Sequence, residues 1–367
     1  MKHIKRTCAL ITLAGAALLV TETPRCSMAR AQVVKEGTPS LTVERIKVHG
    51  KSLEGNLAGD SPDREVAVLL PPSYAAEKER RYPVVYVLHG FSDKLDGWFG
   101  SEQHWVKLPV VVDRALAEGT AEMILVIPDA YTRFEGSMYS SSVTTGDWEN
   151  YIASELVAHV DSHYRTMGRA ASRGIVGHSM GGYGALRIGM RHPDVFSTIY
   201  ALNPCCLTLA FAVPQDAQAA KRMEAVRTFD DLARADVGIK AAFASAAAWS
   251  PNPKNPPFFI DLPWHDGSRQ PMVIAKWTAN RPLFMVDQNV ANLRKLRGIG
   301  FGGGSHDIPS NIDGVRILDD ELNAIGIAHA FELYDGDHTS GAAARLEKVV
   351  LPFLAQKLEF GNTTWPH

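Results

Sequence analysis

The chain has 367 residues, of which 46% are hydrophobic and 21% charged, and its formal net charge is -2. This balance is typical of a globular protein, and it excludes the strongly basic surface by which proteins bind nucleic acids or anionic lipids. The composition therefore indicates no nucleic-acid partner and is compatible with a small neutral substrate.

Residues 1–31 have the layout of a secretory signal peptide. Basic residues come first, then an apolar run and a small-residue cleavage pattern: Lys2, Lys5 and Arg6, then 8–20, then Ala29-Arg30-Ala31. The apolar run is shorter than the roughly 20 residues that span a bilayer. We expect cleavage after Ala31, export to the periplasm or the medium, and no stable membrane insertion of the mature chain. An N-terminal anchor that is left uncut is the alternative.

Beyond a leader that extends to about residue 40, strand-like and helix-like segments alternate. Eight runs are strand-like, and the first two form a hairpin: 41–49, 65–70, 84–88, 123–127, 174–176, 196–202, 296–301 and 330–334. Helical candidates include 148–164, 181–191, 312–325 and 339–358. Such alternation predicts an α/β fold with a mostly parallel central sheet and helices on both faces.

The alternation breaks after the sixth strand, over about 207–281. An Ala-rich helical section there is followed by the Pro-rich stretch 250–257. Long irregular segments are usually functional, so we expect an insertion over the sheet edge that partly covers an active site. The predicted organisation is a leader and first strand over 32–64 and one domain over 65–367 that contains this insertion.

Removal of the signal peptide leaves two cysteines, the neighbours Cys205 and Cys206. Adjacent cysteines form disulfides poorly, because a disulfide favours α-carbons about 5.5 Å apart with suitably directed side chains. We therefore expect two buried free thiols, with a redox role as the alternative.

A serine stands in a glycine-rich turn, Gly177-His178-Ser179-Met180-Gly181, between an apolar strand and a helix start rich in small residues. The pattern G-x-S-x-G between a strand and a helix is typical of a nucleophile elbow. The turn strains the serine backbone and brings the strand close to the helix, which requires glycines on both sides. We predict that Ser179 is a nucleophile; an ordinary glycine-rich turn is the alternative.

A serine nucleophile needs an acid and then a base later in the chain. His338 follows the last strand and precedes the last helix, and Asp307 directly follows the strand before it. Asp307 is predicted to hold the second imidazole N–H of His338.

Other acids and histidines compete for these positions. Asp287 is the main alternative acid, whereas Asp335 and Asp337 lie too close to His338 to come from a separate strand. His306 and His329 are the weaker candidates for the base, since His329 precedes a strand.

Acyl transfer also needs two backbone donors for the oxyanion. We expect these to be the N–H of Met180 and the N–H of Phe91, which lies in the loop His89-Gly90-Phe91 after the third strand.

Aromatic residues follow that loop and the next strand, and they are candidates for binding an aryl or sugar group: Trp98, Trp105, Tyr139 and Trp148. Each of them, taken singly, is also compatible with a position in the core. His104 and His265 lack the spacing of a metal site, so no metal and no cofactor is expected.

With these residues in the required order, the chain resembles the esterase family of α/β-hydrolases that includes S-formylglutathione hydrolases, feruloyl esterases and antigen-85 mycolyltransferases. The similarity covers about 65–358 and is carried by the segments 82–90, 136–139, 146–148, 177–186, 304–307 and 334–339. It implies an α/β-hydrolase fold, a triad of Ser179, Asp307 and His338, and metal-independent acyl transfer to water.

The expected function is that of a serine carboxylesterase that hydrolyses a small or sugar-linked acyl ester through an acyl-enzyme. The expected partner is thus a small-molecule or carbohydrate ester, and the sequence does not indicate the oligomeric state. An acyltransferase of the mycolyltransferase type, using an alcohol acceptor, requires the same triad and is the first alternative. A non-catalytic binding module on a hydrolase fold is the second.

Overall fold

A sheet of eight strands organises the molecule, in a computed structural model that describes residues 41–100, 104–208 and 217–361. The strands of the described residues are β1 Thr42–His49, β2 Asp63–Leu70, β3 Val84–Leu88, β4 Ile124–Pro128, β5 Ser141–Ser142, β6 Gly146–Asp147, β7 Arg173–His178, β8 Thr198–Leu202, β9 Trp264–His265, β10 Ser268–Arg269, β11 Gly298–Gly304 and β12 Ala330–Tyr334. The large sheet has the order β1-β2-β4-β3-β7-β8-β11-β12, while β5–β6 and β9–β10 are short separate ribbons. The predicted signal peptide and the leader to residue 40 lie outside the described residues.

The sheet is antiparallel at one side and parallel across the rest. β1 pairs antiparallel with β2, and β2 pairs antiparallel with β4. From β4 through β3, β7, β8 and β11 to β12, every pair is parallel. The carboxyl ends of β3, β7, β8, β11 and β12 therefore share one edge, where ligands of open α/β sheets commonly bind.

The hydrophobic pattern of the strands explains their positions. β3 and β4 have the sequences VVYVL and ILVIP and are buried throughout, as expected for central parallel strands that are covered on both faces. β1 carries charged, mostly exposed side chains, which suits an edge strand.

Helices cover both faces of the sheet. The α-helices of the described residues are α1 Leu95–Trp98, α2 Leu108–Ala117, α3 Trp148–Asn150, α4 Val157–His163, α5 Met180–Arg191, α6 Ala217–Glu224, α7 Phe229–Arg234, α8 Val237–Trp249, α9 Pro271–Ala279, α10 Val290–Leu293, α11 Pro309–Ala324, α12 Ala342–Arg345 and α13 Leu351–Lys357. The π-helical turns Tyr151–Leu156 and Leu346–Val350 connect α3 to α4 and α12 to α13, and 3-10 turns occur at Lys51–Leu53, Pro72–Tyr74, Ala170–Ser172, Pro282–Met285 and Asp287–Asn289.

Alternate residues of β2 enter two different hydrophobic cores. Val66 and Val68 pack in the core that contains α5, whereas Ala67 and Leu69 pack in the core that contains α2 and α13. Because successive strand residues point to opposite faces, one core lies on each side of the sheet. The predicted α/β fold, with its mostly parallel sheet and helices on both faces, is confirmed.

The segment after the sixth strand of the large sheet, β8, contains α6 to α9 and the ribbon β9–β10. Its centre is the Ala-rich helix α8, which is buried from residue 241 to 249. Ser250 ties the segment together: it accepts a hydrogen bond from the Trp277 indole at 2.8 Å and donates to the Asp261 carbonyl at 2.6 Å. The predicted boundaries 32–64, 65–367 and 207–281 stay predictions, and no described helix is long and apolar enough to cross a bilayer.

Cys205 and Cys206 are joined by a disulfide, so the expectation of two free thiols is wrong. The chain turns sharply here, with positive φ angles of 47° at Asn203 and 67° at Cys206. This turn brings two neighbouring side chains together that an extended backbone would direct apart. The usual spacing of bonded cysteines does not predict a local turn of this kind.

A buried ion network joins α5 to α3. Glu149 lies 2.9 Å from Arg187 Nε, 2.7 Å from Arg191 Nε and 3.0 Å from His192 Nε2. Burial raises the pKa of Glu149, but the hydrogen bond with His192 and the charges of Arg187 and Arg191 outweigh it, so the pKa lies below its usual value. The ionised carboxylate therefore stabilises the fold above the ordinary pKa of glutamate, and this contribution is lost as the pH falls through the folded pKa.

We predict that Glu149→Gln lowers the free energy of unfolding by about 3–5 kcal/mol at neutral pH, because it leaves the buried Arg187 without its counter-charge. The control is Glu332→Gln, which removes a half-exposed pair with Arg345 and should cost about 1 kcal/mol or less. Urea unfolding at neutral pH and at pH values below the ordinary glutamate pKa measures both variants. Equal losses for the two, or a Glu149→Gln loss that persists at acid pH, would contradict the account.

Candidate active site

The turn between β7 and α5 places Ser179 at the carboxyl edge of the sheet. Ser179 has φ 56° and ψ −117°, a region that L-residues rarely occupy. A Cβ on Gly177 would lie 2.2 Å from the backbone of Gly181, and a Cβ on Gly181 would lie 2.0 Å from the Leu88 carbonyl oxygen. Only glycine fits at these two positions, which accounts for the spacing noted in the sequence.

Three predicted residues meet in one chain of hydrogen bonds. His338 Nε2 lies 2.8 Å from Ser179 Oγ, and His338 Nδ1 lies 2.9 and 3.0 Å from the two carboxylate oxygens of Asp307. An ionised carboxylate only accepts hydrogen bonds, so the proton is assigned to Nδ1 and Nε2 can accept from the serine hydroxyl. The arrangement can remove a proton from Ser179.

Asp307 is held in a buried and well-satisfied position, with 6% of its surface exposed. Its carboxylate also accepts from the Ile308 N–H at 2.6 Å, the Asn203 amide at 3.1 Å and the Asn311 amide at 3.3 Å. Burial raises the pKa of Asp307, but the hydrogen bond and charge of His338, with the Ile308 and Asn203 donors, hold the pKa below its usual value. The group is therefore an anion at neutral pH.

Of the two predicted oxyanion donors, Met180 directly follows Ser179 in the chain, and Phe91 lines the same cleft as Ser179. Among the described residues, neither backbone N–H has a hydrogen-bond acceptor. The loop that carries Phe91 is fixed by its neighbours: Gly90 N–H donates to Asp93 at 3.0 Å, and Ser92 N–H donates to the Glu135 carbonyl at 2.8 Å. Two backbone amides near Ser179 are thus without an internal hydrogen-bond partner, as the prediction of oxyanion donors requires.

A cleft of about 310 Å³ opens above the serine. Its lining consists of Gly90, Phe91, Asp93, His104, Trp105, His178, Ser179, His338 and Thr339. Of the four aromatic residues predicted to bind substrate, Trp105 lies in this lining. No group of three or more described His, Cys, Asp or Glu side chains is arranged to hold a metal ion.

Residues 61–342 match the family model described as "Putative esterase". The chain belongs to this esterase family. Curated relatives include the esterase Rv1288 of Mycobacterium tuberculosis, 30% identical over 134 residues, which are 36% of this chain and 27% of the relative. Another is an endo-1,4-beta-xylanase/feruloyl esterase of Xylanibacter ruminicola, 28% identical over 137 residues, 35% of this chain and 18% of the relative. The match thus covers about a quarter or less of these relatives' own length.

Several solved structures have a fold similar to that of this chain. A ferulic acid esterase superposes with a TM-score of 0.60 at 22% identity, covering 88% of this chain and 100% of that one. An S-formylglutathione hydrolase of Agrobacterium tumefaciens gives 0.58 at 15% identity, with 88% and 98% covered. MPT51 of Mycobacterium tuberculosis gives 0.54 at 15% identity, with 87% and 99% covered. At these identities the likeness establishes the α/β-hydrolase fold.

Three of the predicted substrate-binding residues of this esterase do not reach the cleft. Trp98, Tyr139 and Trp148 are fully buried, and the prediction is corrected for them. Each uses its polar atom inside the protein: the Trp98 indole donates to Asp93, the Tyr139 hydroxyl to the His89 carbonyl, and the Trp148 indole to the Thr145 carbonyl. A large aromatic residue that follows a sheet edge is compatible both with burial in the core and with contact to a ligand. Its position in the sequence does not distinguish the two.

The alternative acid and bases lie apart from the hydrogen-bond chain. Asp287 is exposed in the 3-10 turn Asp287–Asn289. His306 pairs with Asp335 and His329 pairs with Asp319. The structure thus places Asp307 and His338 in the hydrogen-bond chain with Ser179, whereas Asp287, His306 and His329 lie outside it.

Asn203 is a site residue that the sequence analysis missed. Its amide donates to Asp307 and, at 3.1 Å, to the Asp337 carbonyl, while its own oxygen accepts from the Tyr334 hydroxyl at 2.6 Å. It joins the loop of the acid to the loop of the base. The sequence does contain a signal for this residue. Asn203 directly follows the strand β8, just as Asp307 closely follows β11 and His338 follows β12.

His178, inside the G-x-S-x-G motif, is a second missed residue. Its Nε2 donates to the His338 carbonyl at 2.7 Å, and its ring lies between those of Trp105 and His338, with centroids 4.5 and 5.0 Å away. Burial, with the nearby charge of His338, lowers the pKa of His178 to about 4. This histidine is therefore neutral at neutral pH and supports the base without competing for its proton.

We predict that Asn203→Asp lowers ester hydrolysis about tenfold and moves the acid limb of its pH profile to higher pH. The substitution keeps the side-chain shape but replaces a donor to Asp307 with a second carboxylate, which raises the pKa of the pair. Asp307 is then ionised, and able to orient His338, over a narrower range of pH.

Steady-state hydrolysis of a p-nitrophenyl ester across pH tests this prediction. Asn292→Asp, a half-exposed asparagine outside the site, is the matched control and should leave the profile unchanged. A loss of rate in Asn203→Asp with no displacement of the acid limb would mean that Asn203 acts only on the fold.

Proposed function

We propose that this esterase is a serine carboxylesterase that hydrolyses a small or sugar-linked acyl ester through an acyl-enzyme on Ser179. The observation that carries the proposal is the continuous chain of hydrogen bonds from Asp307 through His338 to the Ser179 hydroxyl. A serine with a hydrogen-bonded base, which is itself oriented by a carboxylate, can react by nucleophilic catalysis.

In the first step, His338 Nε2 takes the hydroxyl proton as Ser179 Oγ attacks the ester carbonyl carbon. The carbonyl oxygen becomes an oxyanion, which the N–H groups of Phe91 and Met180 stabilise. The tetrahedral intermediate then collapses, and His338 returns the proton to the departing alcohol. Asp307 stays ionised and stabilises the imidazolium.

In the second step, water replaces the alcohol. His338 removes a proton from the water as it attacks the acyl-enzyme, and the same two N–H groups stabilise the new oxyanion. Ser179 leaves with the proton from His338, the carboxylic acid departs, and the free enzyme is restored. No metal or cofactor takes part in the proposed reaction.

The location of the protein belongs to the same proposal. The basic, apolar and small-residue pattern of residues 1–31 supports export to the periplasm or the medium. An exported carboxylesterase of this kind would meet esters outside the cytoplasm, including those attached to carbohydrate.

Ser179→Ala is predicted to lower the kcat of p-nitrophenyl ester hydrolysis by a factor on the order of 10⁶, because the other triad members contribute little without the nucleophile. Ser162→Ala changes an exposed serine on α4 and serves as the matched control with full activity. Full turnover by Ser179→Ala would refute the serine mechanism. Absence of turnover in the wild-type chain across a panel from acetyl to long acyl esters and feruloyl sugars would favour a binding module.

The same assay separates hydrolysis from transfer to an alcohol. Product analysis with and without added acceptor alcohols should give the free acid as the main product in both. A dominant transesterified product would assign the chain as an acyltransferase.

Trp105 is the proposed contact for an aryl or sugar group of the substrate, since its half-buried ring lines the cleft. We predict that Trp105→Ala raises KM for feruloyl esters about tenfold while KM for acetyl esters changes little, because stacking is lost only for the larger group. Trp105→Phe keeps an aromatic face and should recover most of the affinity. Equal increases of KM for both ester classes would show that Trp105 shapes the cleft and does not select the substrate.

A further inference from the structure

A second cavity lies in the segment between β8 and β11. Its volume is about 670 Å³, against about 310 Å³ for the cleft at Ser179, and the two share no lining residue. The end of α6, the ribbon β9–β10 and the first half of α9 surround it, together with the loop that carries Phe258. A volume of this size is within the range of small-ligand sites.

The cavity combines an available aromatic face with polar groups. Trp264 is half-buried in the wall, and its indole N–H has no acceptor among the described residues. Gln270 donates through its amide nitrogen to the ribbon carbonyls of His265 and Ser268, which leaves its side-chain oxygen available. The wall thus offers a ring, a donor and an acceptor at one place.

The charges of the lining nearly balance. Three carboxylates face two cations: Glu224, Asp261 and Asp266, with Arg227 and Lys276. In the described part of the chain, neither Arg227 nor Lys276 forms an ion pair. Because the two signs are interspersed and the net charge is small, the lining offers no strong electrostatic attraction for an ionic ligand and is compatible with a neutral one.

The polarity of the lining also argues against a lipid or a purely aromatic ligand. Eight of its eighteen described residues are polar or charged, and the remainder include Phe258 and Met272 beside Trp264. A ligand that fits must offer many donors and acceptors as well as an apolar face. Sugars meet both requirements. Their hydroxyl groups donate and accept hydrogen bonds, and the C–H face of a pyranose ring packs on an indole ring.

We propose that this cavity binds a neutral oligosaccharide, with Trp264 as its stacking platform. The carboxylates accept from sugar hydroxyls, while Lys276 and Arg227 donate to them. Since the cavity shares no lining with the cleft, sugar binding here is independent of the proposed chemistry at Ser179.

Isothermal titration calorimetry on the full chain carrying Ser179→Ala tests the proposal without turnover. The probes are maltohexaose, cellohexaose and xylohexaose, and we expect one-site binding of at least one of them. On the same background, Trp264→Ala should weaken that binding about tenfold or more, and Trp264→Phe should recover part of it. Phe284→Ala, an exposed aromatic residue outside the cavity, is the matched control and should bind as the parent does.

Trp105→Ala distinguishes sugar binding in the cavity from sugar binding in the cleft, because this substitution alters the lining of the cleft and leaves the lining of the cavity unchanged. Binding that survives Trp105→Ala and fails in Trp264→Ala supports the proposal, provided that the thermal melting temperature of each variant matches the parent. Binding lost in Trp105→Ala but retained in Trp264→Ala would place the sugar in the cleft and overturn it. Absence of binding to all three probes would also overturn it. The loss of ester turnover in Ser179→Ala is measured in a separate assay. Failure of the sugar-binding proposal can therefore be distinguished from failure of the proposed serine mechanism.

Discussion

The close approach of β7, α5 and the end of β3 is the constraint on which the site depends. With no side chain at Gly177 or Gly181, the backbone can pass within contact of Leu88 and leave Ser179 at φ 56°. The same turn begins α5 at Met180, whose N–H has no acceptor among the described residues. One local restriction therefore places the proposed nucleophile and the proposed oxyanion donor of Met180 together at the end of β3.

Parallel strand pairing supplies the rest of the site. Because β7, β8, β11 and β12 run in the same direction, their following loops deliver Ser179, Asn203, Asp307 and His338 to a single edge. These residues are far apart in sequence, and short hydrogen bonds fix them: Asn203 joins the loops of Asp307 and His338, and His178 supports the His338 backbone. The buried network at Glu149 anchors the other end of the same helix, α5, to α3.

Much of this arrangement was predictable, because it rests on local patterns. Two β-rich stretches and six apolar runs predicted all eight strands of the large sheet, and glycine spacing located the elbow. Features that depend on distant packing were not predictable in this way. Trp98, Tyr139 and Trp148 follow the correct loops but fill the core, since ring burial is decided by the neighbours that fold against them. The disulfide of Cys205 and Cys206 depends on a turn that neither residue signals by type.

The central claim is that Ser179 carries the acyl group, and trapping the intermediate tests it most directly. The purified chain is mixed with p-nitrophenyl acetate, quenched in acid within the first turnovers, digested and examined by mass spectrometry. The account predicts one added acetyl group on the peptide that contains Ser179, and none in Ser179→Ala. An acetyl group on another residue, or ester turnover with no covalent intermediate on Ser179, would contradict it.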